Sequence, residues 1–158
     1  MILRGIIGHK NAGKTTLTTA LVTELAARGL RVSTLKHTHH GIDLDQSGTD
    51  THRHRLAGAG QVMLVTDRRL ALMEEVAAPP SLNALCARLT PCDIVLAEGW
   101  KRGTHPRVEA WRPETGHPPL AQSDPTILAV AAKGAPDVDQ PVLDLDDIAA
   151  VADFLCSI

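Results

Sequence analysis

Between an apolar strand and an amphipathic helix, the chain carries Gly8-His9-Lys10-Asn11-Ala12-Gly13-Lys14-Thr15, which matches G-x-x-x-x-G-K-[ST] without a mismatch. No other stretch restricts the fold as much. Leu3, Ile6 and Ile7 read as a short buried strand, and Leu17, Leu21 and Leu25 recur at the four-residue spacing of one helix face, which Gly29 stops. The glycines let the backbone curl so that successive N–H groups converge, and the helix adds the positive end of its dipole. A loop of this kind holds the phosphates of a nucleoside triphosphate. Lys14 is placed to reach the β- and γ-phosphates, and the Thr15 hydroxyl to ligate Mg²⁺.

The rest of the chain alternates strand and helix patterns. After Gly29, residues 32–35 read as a second strand, and residues 52–59 as a short helical patch. "QVMLV" (61–65) is a third strand and "RLALM" (69–73) a fourth. Ser81 caps a helix with Leu82, Leu85 and Leu89 on one face. "DIVLAEGW" (93–100) is a strongly buried strand, "RVEAW" (107–111) reads as an edge strand, and the proline-rich residues 113–125 form a loop. "TILAVAA" and "PVLDL" are further strands, and Asp146 or Asp147 starts a closing helix through Leu155. The expected architecture is α/β: a three-layer P-loop NTPase fold with a mainly parallel sheet, leaving room for an antiparallel excursion in the middle. One domain covering residues 1–158 is expected, since a chain of this length buries roughly 68–70% of its unfolded surface. With aromatics at only 2% of the residues, Ala, Val and Leu must fill the core.

Charge and cysteine content narrow the function class. A net charge of −2 offers no coat for nucleic acid or a membrane surface, and no apolar run approaches the roughly 18 residues of a spanning helix. With a phosphate loop at residue 8, no signal peptide is expected. Cys86, Cys92 and Cys156 make no C-x-x-C pair, so a reducing cytoplasm is expected.

In parallel sheets ligands bind outside the carboxyl ends of the strands. That rule selects Lys36-His37, Thr66-Asp67-Arg68-Arg69 and Glu98-Gly99-Trp100-Lys101 as loops facing the nucleotide. Asp93 begins its strand and is on the wrong edge. Glu98 ends the same strand and is the candidate to hold Mg²⁺ or orient a water, against the alternative of a carboxylate capping the next segment. Residues 36–55 gather Lys36, His37, His39, His40, Asp43, Asp45, Asp50, His52, Arg53, His54 and Arg55. Three readings stand open for them: a nickel or zinc site, an anion-binding wall using Lys36, Arg53 and Arg55, or a solvated loop.

Taken in order, "GHKNAGKTTL", "GLRVSTLKHTHH", "TDTHRHRLAGA", "RRLALMEE", "IVLAEGWK" and "PRVEAWR" resemble the molybdopterin-guanine dinucleotide biosynthesis protein B family, from the first strand to about Arg112. The resemblance implies a cytoplasmic GTP-binding protein, usually a homodimer, with slow intrinsic hydrolysis. It implies an adaptor to the nucleotidyltransferase that converts molybdenum cofactor to its guanine dinucleotide, with molybdopterin or the dinucleotide as a further ligand. By motif match Gly8, Gly13, Lys14, Thr15 and Thr16 bind nucleotide, Glu98 is the acid that completes the Mg²⁺ site, and Lys36 and His37 belong to the second-strand signature. Lys14 and Glu98 are the catalytic candidates. No N-K-x-D element is present, Lys133 being followed by Gly134, Ala135, Pro136 and Asp137, so guanine preference rests on the resemblance. Two rivals remain: a nickel or cobalt metallochaperone GTPase using the histidine-rich loop, and a small-molecule kinase.

Overall fold

Strands that are apolar on both faces need cover on both, and this requirement organises the larger part of the molecule. The computed structural model describes residues 1–38, 41 and 43–158, so His39 and His40 lie outside the described residues. The backbone divides into two compact units, residues 1–38 with 89–158, and residues 39–88.

In the first unit, β1 (Ile2–Ile7), β2 (Val32–Lys36), β5 (Ile94–Glu98), β6 (Arg107–Trp111), β7 (Ile127–Ala132) and β8 (Val142–Asp144) form one sheet in the order β2-β5-β1-β6-β7-β8. Every pairing is parallel. Helices α1 (Lys14–Ala27) and α4 (Ile148–Ser157) cover one face. Leu17, Leu21 and Leu25 of α1 and Val151, Ala152 and Leu155 of α4 pack there on Ile6, Ile94, Leu96 and Val108. On the other face Ile7, Ile127 and Val130 pack beneath the 3₁₀ turn Leu120–Gln122, with Ala121 at the centre. Alternation along a strand puts Ile6 and Ile7 on opposite faces. Arg4, buried in β1, donates from Nε to the carbonyl of Leu155 at 2.6 Å, tying the last turn of α4 to the first strand.

The amino edge of the sheet is closed by Asp93. Its carboxylate accepts the Arg31 backbone N–H at 2.8 Å and the Arg31 guanidinium at 3.0 and 3.1 Å. The Arg31 side-chain bond, followed by the backbone bond, pulls the Asp93 pKa down to about 2. A depressed carboxylate pKa contributes stability that is full above the unfolded value and lost as pH falls through the folded one. Asp93→Asn is therefore expected to lower the urea midpoint at pH 7, with the gap to the wild type closing as pH falls from about 4 towards 2.

Residues 107–111 are not an edge strand. β6 lies between β1 and β7 and is buried along Arg107–Ala110. Its charges are met by partners distant in sequence. Arg107 donates to the carbonyl of Lys101 and to Thr126 Oγ1, and lies 3.3 Å from Asp124. Glu109, fully buried, accepts the backbone N–H groups of Leu120 and Ala121, each at 2.9 Å. Burial pushes its pKa up, against the pull of those two bonds.

The second unit contains α2 (Asp50–Leu56), β3 (Gln61–Val65), β4 (Leu70–Glu74) and α3 (Leu82–Cys86). β3 and β4 are the antiparallel excursion, but they form a two-stranded sheet of their own. Residues 66–69 are thus not a carboxyl-end loop of the parallel sheet. They are a hairpin turn, in which Thr66 N–H donates to the Arg69 carbonyl at 2.8 Å. Ser81 caps α3, accepting from Ala84 N–H at 3.2 Å, but the helix ends at Cys86 and leaves Leu89 outside it. Cys86, Cys92 and Cys156 form no disulfide among the described residues. Among the described residues no helix is long and apolar enough to cross a membrane.

Candidate functional site

The carboxyl ends of β1, β5 and β2 converge because the strands are in parallel register: Ile6 pairs with Glu98, and Glu98 with Lys36. From the end of β1 the chain leaves at Gly8, with φ +142°, where a Cβ would stand 2.3 Å from the carbonyl oxygen of Ala110 in β6. The loop can seat against its neighbouring strand only because residue 8 has no side chain. Asn11, with φ +63°, is the one non-glycine in the left-handed region among the described residues, and Gly13 is the N-cap of α1. Ala12 is buried, while Lys10, Asn11, Thr15 and Thr16 are exposed.

Lys14 and Thr15, the first two residues of α1, face different partners. The Lys14 ammonium donates to the His9 carbonyl at 2.5 Å, which lays its stem across the loop. Burial pulls the Lys14 pKa down, and Lys101 and Lys36 add to this while Glu98 opposes it. Thr15 Oγ1 donates to Glu98 Oε1 at 2.7 Å. Glu98 is buried, and its backbone carbonyl accepts the His37 N–H at 2.9 Å. Lys36 Nζ lies 3.3 Å from both Thr15 Oγ1 and Glu98 Oε1. Thr15 and Glu98 together offer hard oxygen donors of the kind Mg²⁺ takes when phosphates and waters complete its octahedron. The donor set fits that ion.

Around this centre stand further groups, some on the loops selected by the strand ends and two, Arg112 and His117, not singled out by the sequence. Lys101, in the loop after β5, acts electrostatically on both Lys14 and His9. Arg112, just past β6, brings its guanidinium within 3.0 Å of where a Gly13 Cβ would stand, and its buried Nε finds no hydrogen-bond partner among the described residues. The rings of His9 and His117 stack with centroids 4.6 Å apart, and the Trp111 indole donates to the His117 carbonyl at 2.9 Å. Burial, then Lys101 and His117, pull the His9 pKa down. His37 tilts against Trp100 at 5.2 Å. Lys101 is in a loop that the strand-end rule selects, and the signal that could have found Arg112 is its place one residue past a buried strand.

Arg53 and Arg55 lie in α2, in the other unit. Arg53 is exposed, with Asp50 at 3.8 Å. Arg55 is held by Asp43 at 2.8 Å, Glu75 at 3.0 Å and Asp45 at 3.6 Å. Three carboxylates already meet that guanidinium, so it ties its own unit together. Among the described residues no group of three or more His, Cys, Asp or Glu side chains could hold a metal ion. Lys133, at the end of β7, is paired with Asp144 and Asp146.

Residues 3–133 match the family model described as molybdopterin guanine dinucleotide synthesis protein B. The chain is 41% identical to the molybdopterin-guanine dinucleotide biosynthesis adapter protein of Haemophilus influenzae, with 97% of this chain and 86% of that protein covered. It is 36% identical to the Escherichia coli K12 protein of the same name, covering 90% and 85%. Among solved structures, Bacillus subtilis MobB superposes with a TM-score of 0.75 at 21% identity, over 99% of this chain and 97% of that one, which establishes the P-loop fold.

Proposed function

Because the chain belongs to the molybdopterin guanine dinucleotide synthesis protein B family, we propose that it is a GTP-binding adapter in the making of molybdopterin guanine dinucleotide. The observation that carries the nucleotide half of this reading is the 2.7 Å bond from Thr15 to Glu98, made where the phosphate loop and the end of β5 meet. Backbone N–H groups of residues 8–13 and the start of α1 receive the phosphates, and Thr15 and Thr16 supply hydroxyls. Lys14 adds a point charge, and Thr15 with Glu98 would hold Mg²⁺, which would offset the charge of the phosphates. Glu98 supports the slow hydrolysis. The adapter works in the cytoplasm beside the nucleotidyltransferase that joins the guanine nucleotide to molybdopterin, and molybdopterin or its dinucleotide is a second ligand. Of the two arginines on the expected anion wall, Arg53 is the more exposed, with Asp50 at 3.8 Å, whereas Arg55 is held by three carboxylates of its own unit.

A homodimer is part of the proposal. A lone two-stranded sheet is marginal in water, and β3–β4 leaves Met63, Leu64, Val65, Leu70 and Leu72 exposed beside strand edges that pair with no other strand among the described residues. A second copy of the hairpin would cover both.

The test combines titration and capture. Fluorescent GTP is expected to bind in preference to fluorescent ATP, and a tagged chain to retain the nucleotidyltransferase. Glu98→Gln is expected to keep most of the nucleotide affinity while hydrolysis falls about tenfold or more, the scale of one lost charge-assisted contact. Equal affinity for ATP together with no capture of the transferase would overturn the reading.

A further inference from the structure

We propose that the Lys36 ammonium is a resident counter-ion of Glu98 that competes with the divalent cation for the Thr15–Glu98 pair, so that loading the site exchanges one cation for another. The proposal rests on the reading of this loop as a nucleotide site.

The argument is geometric. Two oxygens suited to Mg²⁺, Thr15 Oγ1 and Glu98 Oε1, lie 2.7 Å apart, and Lys36 Nζ is 3.3 Å from each. The ammonium therefore closes a triangle on the atoms a divalent ion would need. This is not a chance surface encounter. Lys36 and Glu98 are paired in register on adjacent parallel strands, so the ladder itself delivers the ammonium to the carboxylate. The Glu98 side chain is only 9% exposed, and a carboxylate so enclosed requires a cation or donors beside it.

Lys36 is also built to leave. Its side chain is 60% exposed and belongs to β2, one of the two edge strands of the sheet. It borders a groove of about 300 Å³ between α1 and β2, shared with Thr18, Val22 and Leu35, which gives the stem room to swing. Lys14 has no such freedom, being bonded to the loop it crosses. An ammonium and a divalent ion cannot both press on one carboxylate oxygen without repelling each other. Exposure limits the strength of the Lys36 pair, so the competition is worth a few-fold rather than orders of magnitude. Once displaced, Lys36 is a positioning residue with its charge turned to whatever anion reaches the same edge of the sheet.

The experiment titrates fluorescent GTP against the wild type, Lys36→Met and Lys36→Arg, first in excess EDTA and then across Mg²⁺ concentrations. Methionine keeps the stem and removes the charge. In Lys36→Met the half-saturating Mg²⁺ concentration is expected to fall about threefold or more, because the competitor is gone. Affinity in EDTA is expected to weaken by a similar factor, because no cation then offsets Glu98. Lys36→Arg should restore the wild-type behaviour in both conditions, which a merely structural role would not produce. An unchanged or raised Mg²⁺ requirement in Lys36→Met, with binding still dependent on Lys14, would overturn the competition alone. Binding that ignores Lys14 in every variant would instead overturn the nucleotide site on which the proposal stands.

Discussion

Lys14→Ala is expected to weaken guanine-nucleotide binding about 10- to 150-fold while leaving the unfolding midpoint nearly unchanged. The size follows from the loss of one charge-assisted contact to phosphate, about 1.5–3 kcal/mol. The fold should tolerate the change because Lys14 begins α1 and its ammonium is bonded to the His9 carbonyl of the same loop. The alanine is, if anything, a better helix former. The neighbouring cations sharpen the expectation. Burial, then Lys101 and more weakly Lys36, lower the Lys14 pKa against the pull of Glu98, and an anion at the loop would favour the charged ammonium. Titration with a fluorescent guanine nucleotide, beside urea unfolding of the same samples, separates the two effects. Equal affinity in wild type and variant would remove the loop from the site.

Gly8→Ala should fail differently, in stability and in binding together. The backbone at residue 8 has φ +142°, a region that costs a residue with a side chain about 1–3 kcal/mol. The new methyl would also stand 2.3 Å from the Ala110 carbonyl oxygen, which is backbone of an interior strand and cannot turn aside. Either the loop lifts from β6 or β6 moves, and in both cases the N–H groups lose their common centre. Gly29→Ala is the control, since its φ of +84° carries the conformational cost while nothing lies within 4 Å of the added carbon. Gly8→Ala is expected to lose more stability than Gly29→Ala and to bind nucleotide at least tenfold more weakly. Equal losses in urea midpoint would mean that the close approach to β6 constrains nothing.

What could be read from the chain alone was whatever depends on neighbours in sequence or on one general rule. The loop residues are fixed by spacing within eight positions, and Glu98 follows from its place at the end of a run of apolar residues. The sheet hid its order. Arg107 and Glu109 give β6 the polar look of an edge strand, yet both charges are satisfied by residues 6 to 19 positions away, which no local pattern records. The hairpin of β3 and β4 is legible as two strands and a turn, but its separation from the parallel sheet depends on pairings that are absent, and sequence does not display those. Arg112 looked like the end of a motif fragment. Only the side-by-side placement of β1 and β6 brings its guanidinium against Gly13.

The strand order has a mechanical meaning for the site. β1, which launches the phosphate loop, is laced into the ladder on both of its edges, by β5 and by β6. Its end is therefore an anchored post, and the loop mounted on it meets a ligand already shaped, without ordering itself at the moment of contact. β2, which carries Lys36, is laced on one edge only. The nucleotide would thus be gripped between a fixed jaw and a compliant one. β2 is also the strand after which the chain leaves for residues 39–88, so the compliant side of the site is the one from which the second unit departs in sequence.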